Sequence, residues 1–397
     1  MSEFQMKNFG FLIFQLIISF VMVLTGTINT LSTKAADLLI VRGNNPHAAH
    51  HFDHPYVQAV GMFIGEFSCM LVFAIFALGF FLVKRTIKPL IPKSFNPLIF
   101  LPPACCDILA TSTMYLGLNL TSASSFQMLR GAVIIFSGLL SVGFLGSHIT
   151  GTQWLGMITV FFGLMVVGVG DLVINGIGTE SASQVITGDL LILVAQIIVS
   201  IQVVVEEYFI KGYQVDPLLA VGFEGMFGLG ITLTLLVPMY FIPWHIPGTE
   251  FWQEFPRYED SLDALSQIGN SWLLVVFVLG NIISIAFFNF TGLTVTKYLN
   301  ATTRMVLDSV RTLFIWLFSL AIMWQGFYFT QLIGFVLLIV GAFIYYDILI
   351  PPGIRWIYRK VPGRSPKPRL MTGTFPDEVE NSDERDALMG KGREDIN

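Results

Sequence analysis

Ten apolar windows follow one another between residues 9 and 350, each close to the length a helix needs to cross the hydrocarbon core of a bilayer, about 20 residues. They lie near 9–31, 57–82, 98–118, 124–146, 152–174, 187–210, 217–242, 272–296, 301–323 and 329–350. In lipid every backbone amide and carbonyl must find its partner within the structure, which leaves a single apolar segment only the helix. Composition agrees: 12% of the residues are charged, about half the ~25% of an ordinary soluble chain. The expected fold class is an all-α integral membrane protein of ten transmembrane helices. A net charge of −5 on so charge-poor a body argues against nucleic acid as a partner.

The first window follows Lys7 as a signal-peptide core would, but Thr25-Gly26-Thr27 is no small-residue cleavage site, so a retained helix is expected. Pro102 and Pro103 are expected to kink the third span. Basic residues orient the bundle, because Lys and Arg in short loops stay on the cytoplasmic side. Lys7, Lys84, Arg85, Lys88, Lys93, Lys211, Lys297 and the bases from Arg355 to Arg369 fall on one face, against Lys34, Arg42 and Arg257 on the other. Both termini are therefore expected in the cytoplasm. On the lumenal side, Asn119-Leu-Thr121 matches a glycosylation sequon too close to the membrane for use. Cys69, Cys105 and Cys106 all lie in apolar runs, where they read as small packing residues rather than a disulfide or zinc framework.

The chain also repeats itself. With one fixed offset Ala123 pairs with Ala301, Leu129 with Leu307, Ser141 with Ser319, Thr152 with Thr330, Gln153 with Gln331, Gly156 with Gly334 and Gly163 with Gly341. Shared hydrophobicity does not explain Thr-Gln-x-x-Gly followed in both copies by a second Gly seven residues on. The units are 1–176 and 177–350, five spans each, followed by a tail at 351–397. An odd number of spans makes the second copy enter the membrane from the opposite side, an inverted repeat of the kind many secondary transporters use. A duplicated bundle without a transport role is the plainer alternative.

Two runs carry a resemblance. Thr121-Ser-Ala-Ser-Ser-Phe-Gln-Met-Leu-Arg130-Gly-Ala and Ala301-Thr-Thr-Arg304-Met-Val-Leu-Asp308-Ser-Val-Arg311-Thr resemble the fourth and ninth helices of the drug/metabolite transporter superfamily, in its nucleotide-sugar-transporter-like branch. With Phe95-Asn-Pro-Leu-Ile-Phe-Leu-Pro-Pro-Ala, Thr187-Gly-Asp-Leu-Leu-Ile and Gly280-Asn-Ile-Ile-Ser-Ile-Ala-Phe-Phe-Asn-Phe, the chain is similar to solute carrier family 35, subfamily F, over about residues 9–350. The resemblance implies two five-helix repeats and solute movement through a central cavity. It does not name the solute.

An ionisable group at mid-bilayer costs about 2.5–3.5 kcal/mol on insertion scales, so each one calls for a partner, a wet cavity or a role. The candidates are Glu66, Asp107, Arg130, Glu206, Glu207, Glu224, Arg304, Asp308 and Arg311. Arg304, Asp308 and Arg311 fall on one helical face, where Asp308 can bond either arginine. Arg130 and Asp308 occupy equivalent positions of the two copies, so they can meet across the repeat axis. The expectation is that Arg130 pairs with Asp308, Arg311 stays freer to hold an anionic group, and Gln127 adds neutral hydrogen bonds. A charge network that only fixes the helices in register is the alternative. Glu66 and Glu224, on repeat-related helices, are candidate proton carriers or, equally, interhelical hydrogen-bonding groups. Glu206 and Glu207 are expected to meet water or Lys211. Gly61-x-x-x-Gly65 suits close helix contact.

His47, His50, His51, His54 and Asp53 crowd one lumenal loop, but no zinc spacing is present and a solvated polar loop is expected. No phosphate-binding glycine loop, H-E-x-x-H or nucleophile–base pattern occurs, so neither an enzyme nor a cofactor is expected. From Pro351 the composition turns to Pro, Gly and basic residues and then acidic, as in a disordered cytoplasmic tail. In it Glu384, Leu388 and Met389 resemble an acidic dileucine signal read by a sorting adaptor, which points to a lysosomal or endosomal membrane; mitochondrial and Golgi membranes remain alternatives. Two functions follow: a secondary-active carrier of a small polar or anionic, nucleotide-sugar-like metabolite, or a non-transporting organelle membrane protein that regulates membrane potential or another carrier through complex formation, with a partner carrier or as a homodimer. A receptor or channel suits an inverted repeat less well.

Overall fold

Short polar residues stand at the breaks between apolar windows, and several of them start the helices. Asp216 accepts from Leu218 N ahead of Pro217, Ser271 from Leu274 N, and Asn300 from Thr303 N at 2.6 Å. Each such cap satisfies an amide the helix cannot, and is worth about 1 kcal/mol. The computed structural model describes residues 3–44, 49–84, 96–118, 120–121, 126, 129–146, 149–175, 180–242, 257–324 and 329–345. Among them the α-helices are α1 (Glu3–Asp37), α2 (Pro55–Lys84), α3 (Leu101–Leu118), α4 (Val133–Leu145), α5 (Gly151–Asn175), α6 (Glu180–Gly212), α7 (Pro217–Phe241), α8 (Ser261–Asn270), α9 (Trp272–Tyr298), α10 (Ala301–Ala321) and α11 (Phe329–Tyr345). Asn119, Gln127, His47 and the whole tail, with Glu384, Leu388 and Met389, lie outside the described residues.

This is an all-α membrane protein. Six described helices, α1, α2, α3, α6, α7 and α9, are long and apolar enough to cross a bilayer. Phe20, Phe76, Phe144 and Phe241 are each two-thirds or more exposed, an outer surface suited to lipid and not to water. Two features differ from the sequence expectation. Pro102 and Pro103 sit in the first turn of α3, behind a 3₁₀ turn at Pro97–Phe100. Amides there have no helical partner to lose, so the prolines begin the helix instead of kinking it. The loop before α9 also holds a short helix, α8, whose buried face, with Ala264 and Gln267, packs beneath a two-stranded ribbon pairing Ile40 with His51.

The main helix pairs are α5 with α11, α2 with α7, α1 with α9 and α3 with α6. In lipid, apolar side chains gain little by leaving the hydrocarbon, so helices associate through close packing of small residues and through polar contacts. Both devices are present. A Cβ on Gly156 of α5 would lie 2.7 Å from the Gly341 carbonyl of α11, and one on Gly163 would lie 3.0 Å from the Gly334 carbonyl. The glycines that mark the sequence repeat are thus the crossing point of α5 and α11. Gly65 does the same for α2 on α9, where a Cβ would meet the Ile282 carbonyl at 2.3 Å. Cys69 is buried near them, its thiol 3.7 Å from the Ala286 carbonyl, a packing position.

Candidate functional site: a central charged cavity

The helices surround a cavity of about 450 Å³, within the ~300–1,000 Å³ range of small-molecule sites. Its wall takes residues from α1, α2, α3, α6, α7, α9 and α10. The charge-rich α10 turns its polar side inward: Arg304, Asp308 and Arg311 all reach this cavity. Arg130 joins them from a 3₁₀ turn, Arg130–Ala132, at the start of α4.

Asp308 is the hub. Its Oδ1 lies 2.7 Å from Arg311 Nη2 and its Oδ2 3.6 Å from Arg130 Nη2. The two arginines nevertheless have the reverse of their expected roles. Arg311, its side chain 3% exposed, also donates Nη1 to the Gly26 carbonyl at 3.2 Å and lies 4.6 Å from the Phe288 ring centre. Gly26 makes this possible, since a Cβ there would come within 2.5 Å of Arg311 Cδ. Arg311 is therefore held in place by a carboxylate, a carbonyl and a ring. Arg130, 20% exposed, has the longer Asp308 contact and the Phe126 ring centre 5.9 Å away, and is the freer cation.

Arg304, also on the cavity wall, takes a different partner from Asp308. It donates Nη1 to Glu206 of α6, and both side chains are buried. The expectation of water or Lys211 at Glu206 fails because the side chain points inward toward α10. Glu207, next to it, does take Lys211 at 2.7 Å and also accepts from Ala301 N at 2.8 Å, fixing the first turn of α10. Glu66 is buried on α2 and accepts from Asn289 of α9 at 2.5 Å. Glu224 is buried on α7, and its Oε1 has no hydrogen-bond partner among the described residues. Glu66, Asp107 and Glu224 line the same cavity as Arg304.

Several polar wall residues were not singled out from the sequence. Asn29 of α1 donates to Asn281 of α9, and Gln196 of α6 and Thr111 of α3 face the same space. Asn281 and Asn289, eight residues apart in an otherwise apolar helix, share one helical face. That spacing was the available signal.

Where α2 begins, the histidine loop is not solvated as expected. His54 Nδ1 lies 2.7 Å from Glu259 Oε1 and its Nε2 3.5 Å from Asp263 Oδ2, while His50 Nε2 lies 3.1 Å from Asp263 Oδ2. Tyr56 N donates to Glu259 Oε2 at 3.0 Å. Carboxylates from the segment around α8 thus cap the loop from above. Burial alone would lower the His54 value, but the Glu259 hydrogen bond and the charges of Glu259, Asp263 and Asp53 outweigh it and hold it above the ordinary histidine range. Burial pushes Glu259 and Asp53 up, with His54 opposing in both cases.

A lipid-facing helical bundle around a polar, charge-lined cavity has the form of a multi-pass membrane transporter of small solutes. The model of solute carrier family 35, subfamily F, matches residues 44–244, and the chain belongs to that family. It is similar to solute carrier family 35 member F6 of Homo sapiens, 52% identical over 335 residues that cover 84% of this chain and 88% of the relative. The Pongo abelii protein of the same name is 48% identical over 386 residues, covering 96% and 98%. An uncharacterized protein of Schizosaccharomyces pombe is 31% identical over 338 residues, covering 84% of this chain and 98% of its own. One solved structure matches with a TM-score of 0.53 at 12% identity, over 83% of this chain and 96% of its own, which is a likeness of fold. Membership of a solute carrier family points to a transporter rather than an enzyme.

Proposed function

We propose that the protein is a secondary-active carrier that moves a small polar or anionic metabolite across an intracellular membrane by alternating access through the central cavity. The observation that carries this reading is the cavity itself, a charged space of about 450 Å³ whose wall draws on both sequence repeats. The inverted repeat is supported by the helix pairs. Exchanging each span of one copy with its counterpart turns the α1–α9 pair into the α6–α3 pair and returns α2–α7 and α5–α11 to themselves. Arg130 is the substrate contact of first choice, with Asp308 and Arg311 positioning it and Gln127 beside it. Glu66 and Glu224 are the proton-handling candidates. Both termini face the cytoplasm, and the tail addresses the protein to a lysosomal or endosomal membrane through an adaptor that reads Glu384, Leu388 and Met389. The test is flux into liposomes holding the purified full chain, across a broad metabolite panel. Solute-dependent uptake that Arg130→Ala removes supports the reading; no uptake of any solute favours a non-transporting regulator.

A further inference from the structure

The cavity wall carries charges of both signs. Arg130, Asp308 and Arg311 leave one part cationic by one charge. The same wall also carries Glu66, Asp107 and Glu224, together with Lys34 and Asp37. Arg304 donates Nη1 to Glu206, which does not line the cavity, and its Nε has no partner among the described residues. Glu66 has one amide donor, Asn289, and Asp107 is 3.5 Å from the Thr111 hydroxyl. Glu224 is more than nine-tenths buried, lines the cavity, and leaves Oε1 without a hydrogen-bond donor among the described residues. A buried carboxylate without a donor is costly, and a group that donates several hydrogen bonds and brings positive charge is what Glu224 lacks. An ammonium group has both properties. A diphosphate would meet Arg130 and Lys34 beside the engaged Arg304 and Arg311, and four carboxyls besides Asp308 on the same wall, Asp37, Glu66, Asp107 and Glu224.

We propose that the solute is a small zwitterion, its acid group held at Arg130 and its amine at Glu224 with Glu66 and Asp107, the two charges separated by several bonds. This rests on the carrier reading above and narrows its substrate class. The two groups explain why a cavity with arginines also keeps so many carboxyls.

A charge-deletion series tests it in liposomes holding the full chain. The probes are glycylglycine and 6-aminohexanoate, each beside its N-acetylated form, which has lost the positive charge, and its terminal amide, which has lost the negative one; a nucleotide sugar is the anionic comparator. The expected result is uptake of at least one zwitterion, lowered tenfold or more by either deletion. Glu224→Gln should bring the ratio of zwitterion to N-acetylated uptake close to one, while the wild-type series decides the matter even if that variant fails to fold. Uptake of the N-acetylated forms equal to or above the zwitterions, or uptake of the nucleotide sugar alone, overturns the zwitterion and leaves the carrier reading standing. No uptake of any probe overturns the zwitterion; the broad panel then decides the carrier reading on its own.

Discussion

Two helix pairs join the halves of this molecule in opposite ways. Where α5 crosses α11, Gly156 and Gly163 bring backbone against backbone, with no room for a methyl group. Where the turn that opens α4 approaches α10, Arg130 and Asp308 form a 3.6 Å pair at the cavity wall, next to apolar packing of Val133 and Ile134 with Met305 and Val306. In each case the helices are counterparts in the sequence repeat. The difference teaches how a bundle in lipid stays together around a hole: glycine packing supplies adhesion at one crossing, so the other can keep charged groups and a cavity. Burying charge instead of packing would be a poor way to gain stability, so a charged crossing is better explained by what it holds.

The comparison can be broken first at the glycines. Overpacking costs about 1–3 kcal/mol where side chains can yield. At Gly156 the obstacle is the Gly341 carbonyl and the Tyr345 backbone, so Gly156→Leu should give no monodisperse protein by size exclusion in detergent. A folded, stable variant would show that the crossing is looser than described. Second comes Asp308→Ala, which leaves buried Arg311 without its carboxylate and should cost about 3–5 kcal/mol, read as a fall in melting temperature with loss of uptake. Third, Arg130→Ala should change stability by no more than ~1 kcal/mol, as expected of a partly exposed, long pair, yet remove flux. An equal fall in stability for Arg130→Ala and Asp308→Ala would make the site a structural lock.

The smallest effect is at the histidine cap. His54, Glu259 and Asp53 all bind protons more tightly folded than unfolded. Their joint contribution is therefore fully present in acid and is lost as pH rises, beginning above the ordinary carboxylate values near 4 and ending as pH passes the raised His54 value, above about 6.5. Hydrogen exchange at Tyr56 and along α8, corrected for intrinsic rates, should show more protection at about pH 5 than at about pH 8, and His54→Gln should flatten that difference. Protection that rises with pH would contradict the sign.

Much of this architecture was legible because it follows from local rules. The apolar windows overlap described helices, six of them long and apolar enough to cross a bilayer, although window 124–146 is a described α-helix only over Val133–Leu145. The glycines paired by the repeat, Gly156 with Gly334 and Gly163 with Gly341, became the α5–α11 crossing. The Arg130–Asp308 contact was legible for a further reason: the two residues occupy equivalent positions of the sequence repeat. What failed depended on distant partners. Nothing near His54 in sequence announces Glu259, 205 residues away. Glu206 has Lys211 a turn away, which hides its partner on α10. The roles of Arg311 and Arg130 turned on Gly26 and Phe288, residues from α1 and α9 that no spacing within α10 could reveal.

Alternating access through the cavity is the central claim, and a single cysteine tests it most directly. With Cys69, Cys105 and Cys106 replaced, Thr111→Cys places one thiol on the cavity wall. A membrane-impermeant thiol reagent should reach it from either face of a liposome in turn, and its attachment should stop uptake of whatever solute the unmodified variant carries. A thiol reached from one face only, or modified without loss of uptake, would contradict a solute path through this cavity.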